Sequence, residues 1–141
     1  MALQHAQTQP FLWFVRVYYE DTDSAGVVYY ANYLRYLERA RTEWLRALGF
    51  EQTDLAAQHQ SVFVVRSLAI EYLKPALFND ELGISVELAH AGASLIVVTQ
   101  RVTRGADALA TAEVKVACVN MSSMKPIRMP PPLLEKIRIK T

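Results

Sequence analysis

The chain is poor in the residues that build metal and redox centres. Of its 141 residues only Cys118 is a cysteine, which excludes an internal disulfide and a thiolate-built zinc site. A lone free thiol fits a reducing compartment. The three histidines, His5, His59 and His90, are scattered, and no two have metal-ligand spacing, so no metal is expected. No Gly-x-Ser-x-Gly elbow occurs, which disfavours a serine-triad hydrolase. Neither sign of charge dominates: 15 Lys and Arg face 14 Asp and Glu, a net charge of +1 that argues against a dedicated nucleic-acid binder. No apolar run is long enough for a transmembrane segment. The start, MALQHAQTQP, lacks the basic segment and apolar core of a secretory signal. The expected location is the cytoplasm.

What is present is a core-forming composition, 52% hydrophobic, at the length of one domain. Residues 1–10 read as a flexible tail. Leu12 to Tyr19 is aromatic and β-branched and reads as a strand. From Ala31 to Leu48 the period is helical, with Leu34, Leu37, Ala40, Trp44, Leu45 and Leu48 on one stripe and Gly49 as a stop. Glu51 to Gln60 is less regular, with room for a second short helix. The period then becomes two. Val62 to Leu73 is a long strand, and Phe78-Asn79-Asp80 is a turn. Leu82, Ile84, Val86 and Leu88 alternate with polar or small residues, and His90 falls at the turn that follows. Leu95 to Thr103 is apolar on both parities, as a central strand would be. Ala112, Val114, Val116 and Cys118 form the inward parity of the last strand. Residues 130–141 read as a tail or a short helix after Pro131 and Pro132. One long helix followed by closely linked antiparallel strands implies α+β, with the helix laid across a sheet of five or six strands. One helix cannot cover both faces of such a sheet, so a homodimer is expected, or a homotetramer built from two of them.

The chemistry concentrates in Tyr18 to Leu37, YYEDTDSAGVVYYANYLRYL. Asp21 and Asp23 precede a small-residue break, Ser24-Ala25-Gly26, and a run of tyrosines then opens the helix. A helix start offers free N–H groups and a partial positive charge, which can hold an oxygen that becomes an anion. A carboxylate beside such a site is the minimum equipment for attack on a carbonyl. By itself an Asp before a helix more often only caps it or makes an Asx turn.

The pattern Asp21-Thr22-Asp23-x-x-Gly26-Val27-Val28-Tyr29-x-x-x-Tyr33 resembles the signature of hotdog-fold acyl-CoA thioesterases of the 4-hydroxybenzoyl-CoA thioesterase class. It is most similar to the branch encoded beside the Tol–Pal envelope genes. Segments Glu38 to Glu43 (ERARTE), Phe63 to Arg66 (FVVR) and Thr99 to Val102 (TQRV) match that branch too, and the likeness runs from about Trp13 to Pro130.

The resemblance implies a hotdog fold, hydrolysis of an acyl-CoA without a cofactor, and a site at a subunit interface. It implies that Asp23 is catalytic, as a nucleophile on the thioester or a general base on water, and that the Tyr30 main-chain N–H polarises the carbonyl. Asp21 is expected to hold the loop through backbone hydrogen bonds. Gly26, Tyr29, Tyr33, Val64 and Ser94 are the substrate-binding candidates. For Tyr29 and Tyr33, aromatic packing is an equal alternative, and for Tyr36 it is preferred. Phe63, Val64 and Val65 suit an acyl tunnel or plain core. Ser94 suits a nucleotide contact or a plain turn. Arg66, Arg101, Arg104, Lys125 and Arg128 are candidates for the CoA phosphates.

Two departures from the family pattern stand out. Tyr30 stands where many Tol–Pal-associated members have His, which removes an imidazole and leaves the carboxylate and amide. His90-Ala91-Gly92-Ala93-Ser94 lacks the basic residue often found there. The alternative functions are a binding module for an acyl thioester or acyl carrier protein, and another hotdog chemistry such as dehydration. The latter wants a His that the Asp loop lacks.

Overall fold

The computed structural model describes residues 10–140, so the expected tail over residues 1–10 lies, but for Pro10, outside the described residues, as do His5 and Thr141. The elements are β1 (Phe11–Arg16), a 3-10 turn (Tyr19–Asp21), α1 (Asn32–Ala47), α2 (Gln52–His59), β2 (Ser61–Tyr72), β3 (Glu81–Ala91), β4 (Leu95–Arg104), β5 (Asp107–Asn120) and α3 (Pro131–Lys140). The five strands form one antiparallel sheet in the order β1-β3-β4-β5-β2. The expected meander is present in β3-β4-β5, and β4, apolar on both parities, is the central strand. The edges are β1 and the 12-residue β2. Among the described residues no helix is long and apolar enough to cross a membrane.

Helix α1 packs against β1 and β3. Its buried face is Tyr33, Tyr36, Leu37, Ala40, Trp44 and Leu45. Each large apolar side chain buried this way contributes roughly 1.5–3 kcal/mol, so this face dominates the helix's attachment. The sheet meets it with Leu82, Ile84 and Val86 from β3, Val98 and Val102 from β4, and Val114, Val116 and Cys118 from β5, all buried. Between helix and sheet sits one fully buried polar side chain, Gln100. Its amide donates to the Leu37 carbonyl (3.1 Å) and its oxygen accepts from Arg41 (3.0 Å), which satisfies a group that would otherwise be costly there.

Four boundaries or placements differ from the sequence reading. The first strand stops at Arg16 instead of Tyr19, because the Tyr18 N–H donates to the Asp21 carboxylate (2.9 Å) and turns the chain. Helix α1 starts at Asn32, with Ala31 as a cap that has no side-chain bond, and it ends at Ala47 with Leu48 as its cap, ahead of a Gly49 of φ 96°. Leu34, assigned to the apolar stripe, is 40% exposed. His90 lies in β3 beside a register shift between Leu88 and His90, ahead of the turn. The segment after Glu51 is helical, as is the C-terminal segment from Pro131.

The turn between β2 and β3 is fixed by Asp80. Its carboxylate accepts from the Leu77 N–H (2.9 Å) and from Arg104 (2.7 Å). Burial pushes this carboxyl up, but the Arg104 guanidinium and the Leu77 amide outweigh it, and the pKa falls below the ordinary 3.8. Because folding lowers it, the contribution is complete above that ordinary value and is lost as the pH falls through the lowered one. Asp80→Asn should therefore cost about 1–3 kcal/mol at neutral pH. The gap between parent and variant should close in denaturation midpoints measured below pH 4. Equal midpoints at pH 7 would contradict this role.

Candidate active site

The loop between the 3-10 turn and α1 is closed on itself by the bridge Thr22↔Val28. The Asp23 N–H donates to the Val27 carbonyl (2.9 Å) and the Gly26 N–H to the Asp23 carbonyl (3.0 Å). Gly26 has φ 83°, a conformation that side chains resist, and open space where a Cβ would stand. Glycine is thus needed here for the turn itself. The loop is docked on the segment after β2: Val27 bridges Leu77, and the Val28 N–H donates to the Ala76 carbonyl (2.9 Å). That segment is the one Asp80 and Arg104 hold.

The two aspartates do different work. Asp21 accepts from the Tyr18 N–H with its side chain and from the Tyr29 N–H with its carbonyl (2.9 Å each), the loop-holding role expected of it. Asp23 is exposed, and one of its oxygens, Oδ1, accepts from the Ala25 N–H (2.9 Å). That is the Asx-type bond of a turn. The second oxygen has no partner among the described residues. A carboxylate held by one oxygen and free at the other is oriented and still able to react.

Tyr30 lies in the turn that leads into α1. Its carbonyl accepts from the Tyr33 N–H (3.3 Å) and from the Tyr72 hydroxyl (3.1 Å), while its own N–H has no carbonyl partner among the described residues. Tyr30 stands one residue ahead of the Ala31 cap, so this open amide belongs to the turn that leads into α1. The tyrosines form a connected cluster. Tyr29 lies 4.9 Å from Tyr30 between ring centroids, Tyr30 lies 6.1 Å from Tyr72, and Tyr33 lies 5.2 Å from Tyr72 and 6.3 Å from Tyr36. Tyr33 is buried and its hydroxyl oxygen accepts from the Ala76 N–H (3.1 Å), so its part in the fold is packing and loop support. Tyr36 is buried as expected. The Tyr29 phenol is pushed up, first by its Tyr30 neighbour and also by the Asp23 carboxylate, which puts Tyr29 within electrostatic reach of Asp23. Burial raises Tyr33 and Tyr72. At neutral pH these three phenols are donors and not bases.

The structure brings Asp23, Gly26, Tyr29, Tyr30 and Tyr33 together and leaves Val64 and Ser94 elsewhere. Val64 pairs with Ala117, which pairs with Leu95, the neighbour of Ser94. Both candidates therefore sit at the far end of the sheet. From Tyr72, which touches Tyr30, to Val64 is eight residues of strand, about 27 Å. Phe63 and Val65, on the other parity of β2, line a cavity of about 120 Å³ with Arg41, Thr42 and Leu45 of α1; Val64 does not. Of the basic candidates, Arg104 is committed to Asp80, and Arg66 and Arg101 are exposed on their strands. Lys125 and Arg128 are exposed near Ser94, where the Met129 N–H donates to the Ala93 carbonyl (2.8 Å). Tyr72 was not legible in the sequence. Nothing in its strand marks it, and only the fold sets it beside Tyr30.

A curled antiparallel sheet with this helix and this loop defines a hotdog protein of the thioesterase class. The family model of the thioesterase-like superfamily matches residues 17–137, and the chain belongs to that superfamily. The acyl-CoA thioesterase YbgC of Haemophilus influenzae is 48% identical over 116 residues, 82% of this chain and 85% of that protein. The acyl-CoA thioester hydrolase YbgC of Escherichia coli O6:H1 is 43% identical over 132 residues, 93% of this chain and 98% of that protein. The crystal structure of a probable thioesterase from Bartonella henselae matches with a TM-score of 0.83 at 36% identity, covering 86% of this chain and all of that one.

Cys118 is buried on β5, and burial raises its thiol pKa, so the thiolate that reacts is scarce. A disulfide reagent added to native protein should label it only as fast as the chain unfolds, and immediately in denaturant. Rapid labelling of the native state would contradict the burial of this thiol and make it a candidate nucleophile.

Proposed function

We propose that the chain hydrolyses acyl-CoA thioesters to a free carboxylic acid and CoA, with Asp23 as the reacting carboxylate and the Tyr30 N–H as oxyanion donor. The observation that carries this reading is the pairing of a half-free Asp23 carboxylate in the closed loop with an unpartnered Tyr30 amide in the turn between that loop and α1. The relatives named above support the substrate class. A thioester needs only a modest push, because the CoA thiolate leaves well. In one route an Asp23 oxygen attacks the carbonyl, CoA thiolate departs, and water opens the mixed anhydride. In the other Asp23 takes a proton from water, the hydroxide adds to the carbonyl, and CoA leaves. In both, negative charge grows on the carbonyl oxygen, where a fixed N–H stabilises it. Dehydration is the weaker reading: His59 ends α2 and His90 lies in β3, so neither belongs to the loop.

The working unit in this reading is a homodimer, alone or paired into a tetramer. Strand β2 has a free edge, and the Asp loop is surrounded by exposed apolar side chains: Tyr19, Tyr29, Tyr30, Tyr72, Leu77 and Phe78. Pairing β2 antiparallel with its copy sets the Tyr72 end of one protomer against the Val64 end of the other. Val64 and Ser94 of the partner then flank Asp23, and Lys125 and Arg128 follow at the rim, where CoA phosphates need cations. Acyl carrier protein is the alternative thiol carrier for the same site.

Two experiments test this. Thiol release from short, long and aromatic acyl-CoAs should fall about 10²–10⁴-fold in Asp23→Asn, the range expected for loss of a reacting acid or base. A variant as fast as the parent would remove Asp23 from the chemistry, and a parent inactive on every CoA ester would favour the binding-module reading. For the shared site, Asp23→Asn should be mixed with Val64→Trp, each inactive alone. Random reassortment should restore about a quarter of parental activity, since half the dimers carry one intact site. No recovery on mixing would place the whole site within one protomer.

A further inference from the structure

We infer that Asn32 is a positioning residue that clamps the oxyanion amide to the segment carrying the reacting carboxylate; the inference rests on the reading of Asp23 and Tyr30 given above. Asn32 is the first residue of α1 and is partly buried. Its main-chain N–H donates to the Tyr29 carbonyl at 2.8 Å. That carbonyl belongs to the same peptide unit as the Tyr30 N–H. A trans peptide is planar, so fixing the direction of C=O fixes the opposite direction of N–H. The side chain works on the other part of the site: Nδ2 donates to the Asp21 carbonyl at 2.8 Å. That carbonyl also accepts the Tyr29 N–H, so one oxygen ties residue 21 to both residues 29 and 32. Asp21 is two residues from Asp23. One residue thus holds the donor plane with its backbone and the base of the carboxylate loop with its amide.

The type of residue matters here. The Asp21 carbonyl already accepts the Tyr29 N–H, and the Asn32 amide adds a second donor to the same oxygen, tying it to the first residue of α1. Aspartate has nearly the same shape with no donor, and it sets a carboxylate oxygen against a carbonyl oxygen. At the first turn of a helix aspartate is otherwise welcome, because its charge suits the helix dipole. Asn32→Asp therefore removes the side-chain half of the clamp, leaving the main-chain bond to Tyr29, in a chain that still has every reason to fold. Asn32→Ala removes it without adding charge.

The test compares parent, Asn32→Asp, Asn32→Ala and Asp23→Asn in steady-state thioester hydrolysis, with thermal melts and amide exchange of Tyr29 alongside. The expected result is a kcat lowered about 10- to 100-fold in both Asn32 variants, the scale of a small misplacement of reacting groups. KM should stay within about twofold, since the clamp touches no substrate, and a KM that moves as much as kcat would mark lost binding instead. Tyr29 amide exchange should quicken in both variants while the melting temperature holds. The inference is overturned if kcat stays near the parental value while Asp23→Asn is inactive. It is overturned equally if the loss vanishes on cooling each variant well below its melt, which would mark mere instability. If Asp23→Asn itself keeps parental turnover, the site reading fails first and takes the clamp with it.

Discussion

The attachment of α1 to the sheet is the constraint on which the rest depends. Its buried face, from Tyr33 through Trp44 and Leu45, can leave water only against one side of the strands. The Gln100 amide reaching the Leu37 carbonyl adds a directional contact to a surface that is otherwise only greasy. Once that face is set, the N-terminus of α1 has one place to open, beside the β2–β3 connection. The open Tyr30 amide lies in the turn ahead of that terminus, and its position follows from packing the helix. In the proposed function the chemistry rests on an amide in the turn ahead of that helix and on the carboxylate of the loop beside it.

That loop is held from both sides. On one side Thr22↔Val28 closes it and Gly26 supplies the positive φ. On the other, residues 73–80 form a shelf: Ala76 gives its carbonyl to Val28 and its N–H to the Tyr33 hydroxyl, Leu77 bridges Val27, and Asp80 with Arg104 stops the shelf from moving. The Asp80–Arg104 pair is the more deeply set of the ion pairs here, with side chains 20% and 32% exposed, against 47% and 48% for Arg46 and Glu51. Exposed pairs of the latter kind contribute little. The pair that is shielded stands directly behind the candidate site.

Much of this was legible because it is periodic or local. The spacing of Leu37, Ala40, Trp44 and Leu45 gave the helix, and the alternation of Leu82, Ile84 and Val86 gave an inward strand face, as burial bears out. The Asp-x-Asp loop was legible through its small-residue break. What was hidden is what three dimensions add. Leu34 reads as core by period and is exposed, because a helix stripe is wider than the face a single sheet covers. Tyr72 carries no local mark, yet sheet and helix bring it onto Tyr30. Val64 and Ser94 looked like partners of Asp23 and lie a strand's length away from it, since period two says which face a residue is on and nothing about which end of the sheet it faces.

The tyrosines sharpen the accounting of protons. Where an imidazole could share the work of moving them, this chain has Tyr30. Its neighbours all have phenols shifted away from ionisation, Tyr29 first by Tyr30, and Tyr33 and Tyr72 first by burial. Such groups can donate a hydrogen bond, but they do not accept a proton from water near neutrality. His59 and His90 belong to other parts of the fold. In the proposed function, the group that takes a proton or a carbonyl carbon is therefore the free oxygen of Asp23. A site with one base and one amide suits a reaction whose leaving group departs as a stable thiolate and does not need protonation first. That match between a sparse site and an undemanding bond is the physical argument for a thioester over an amide or an ordinary ester.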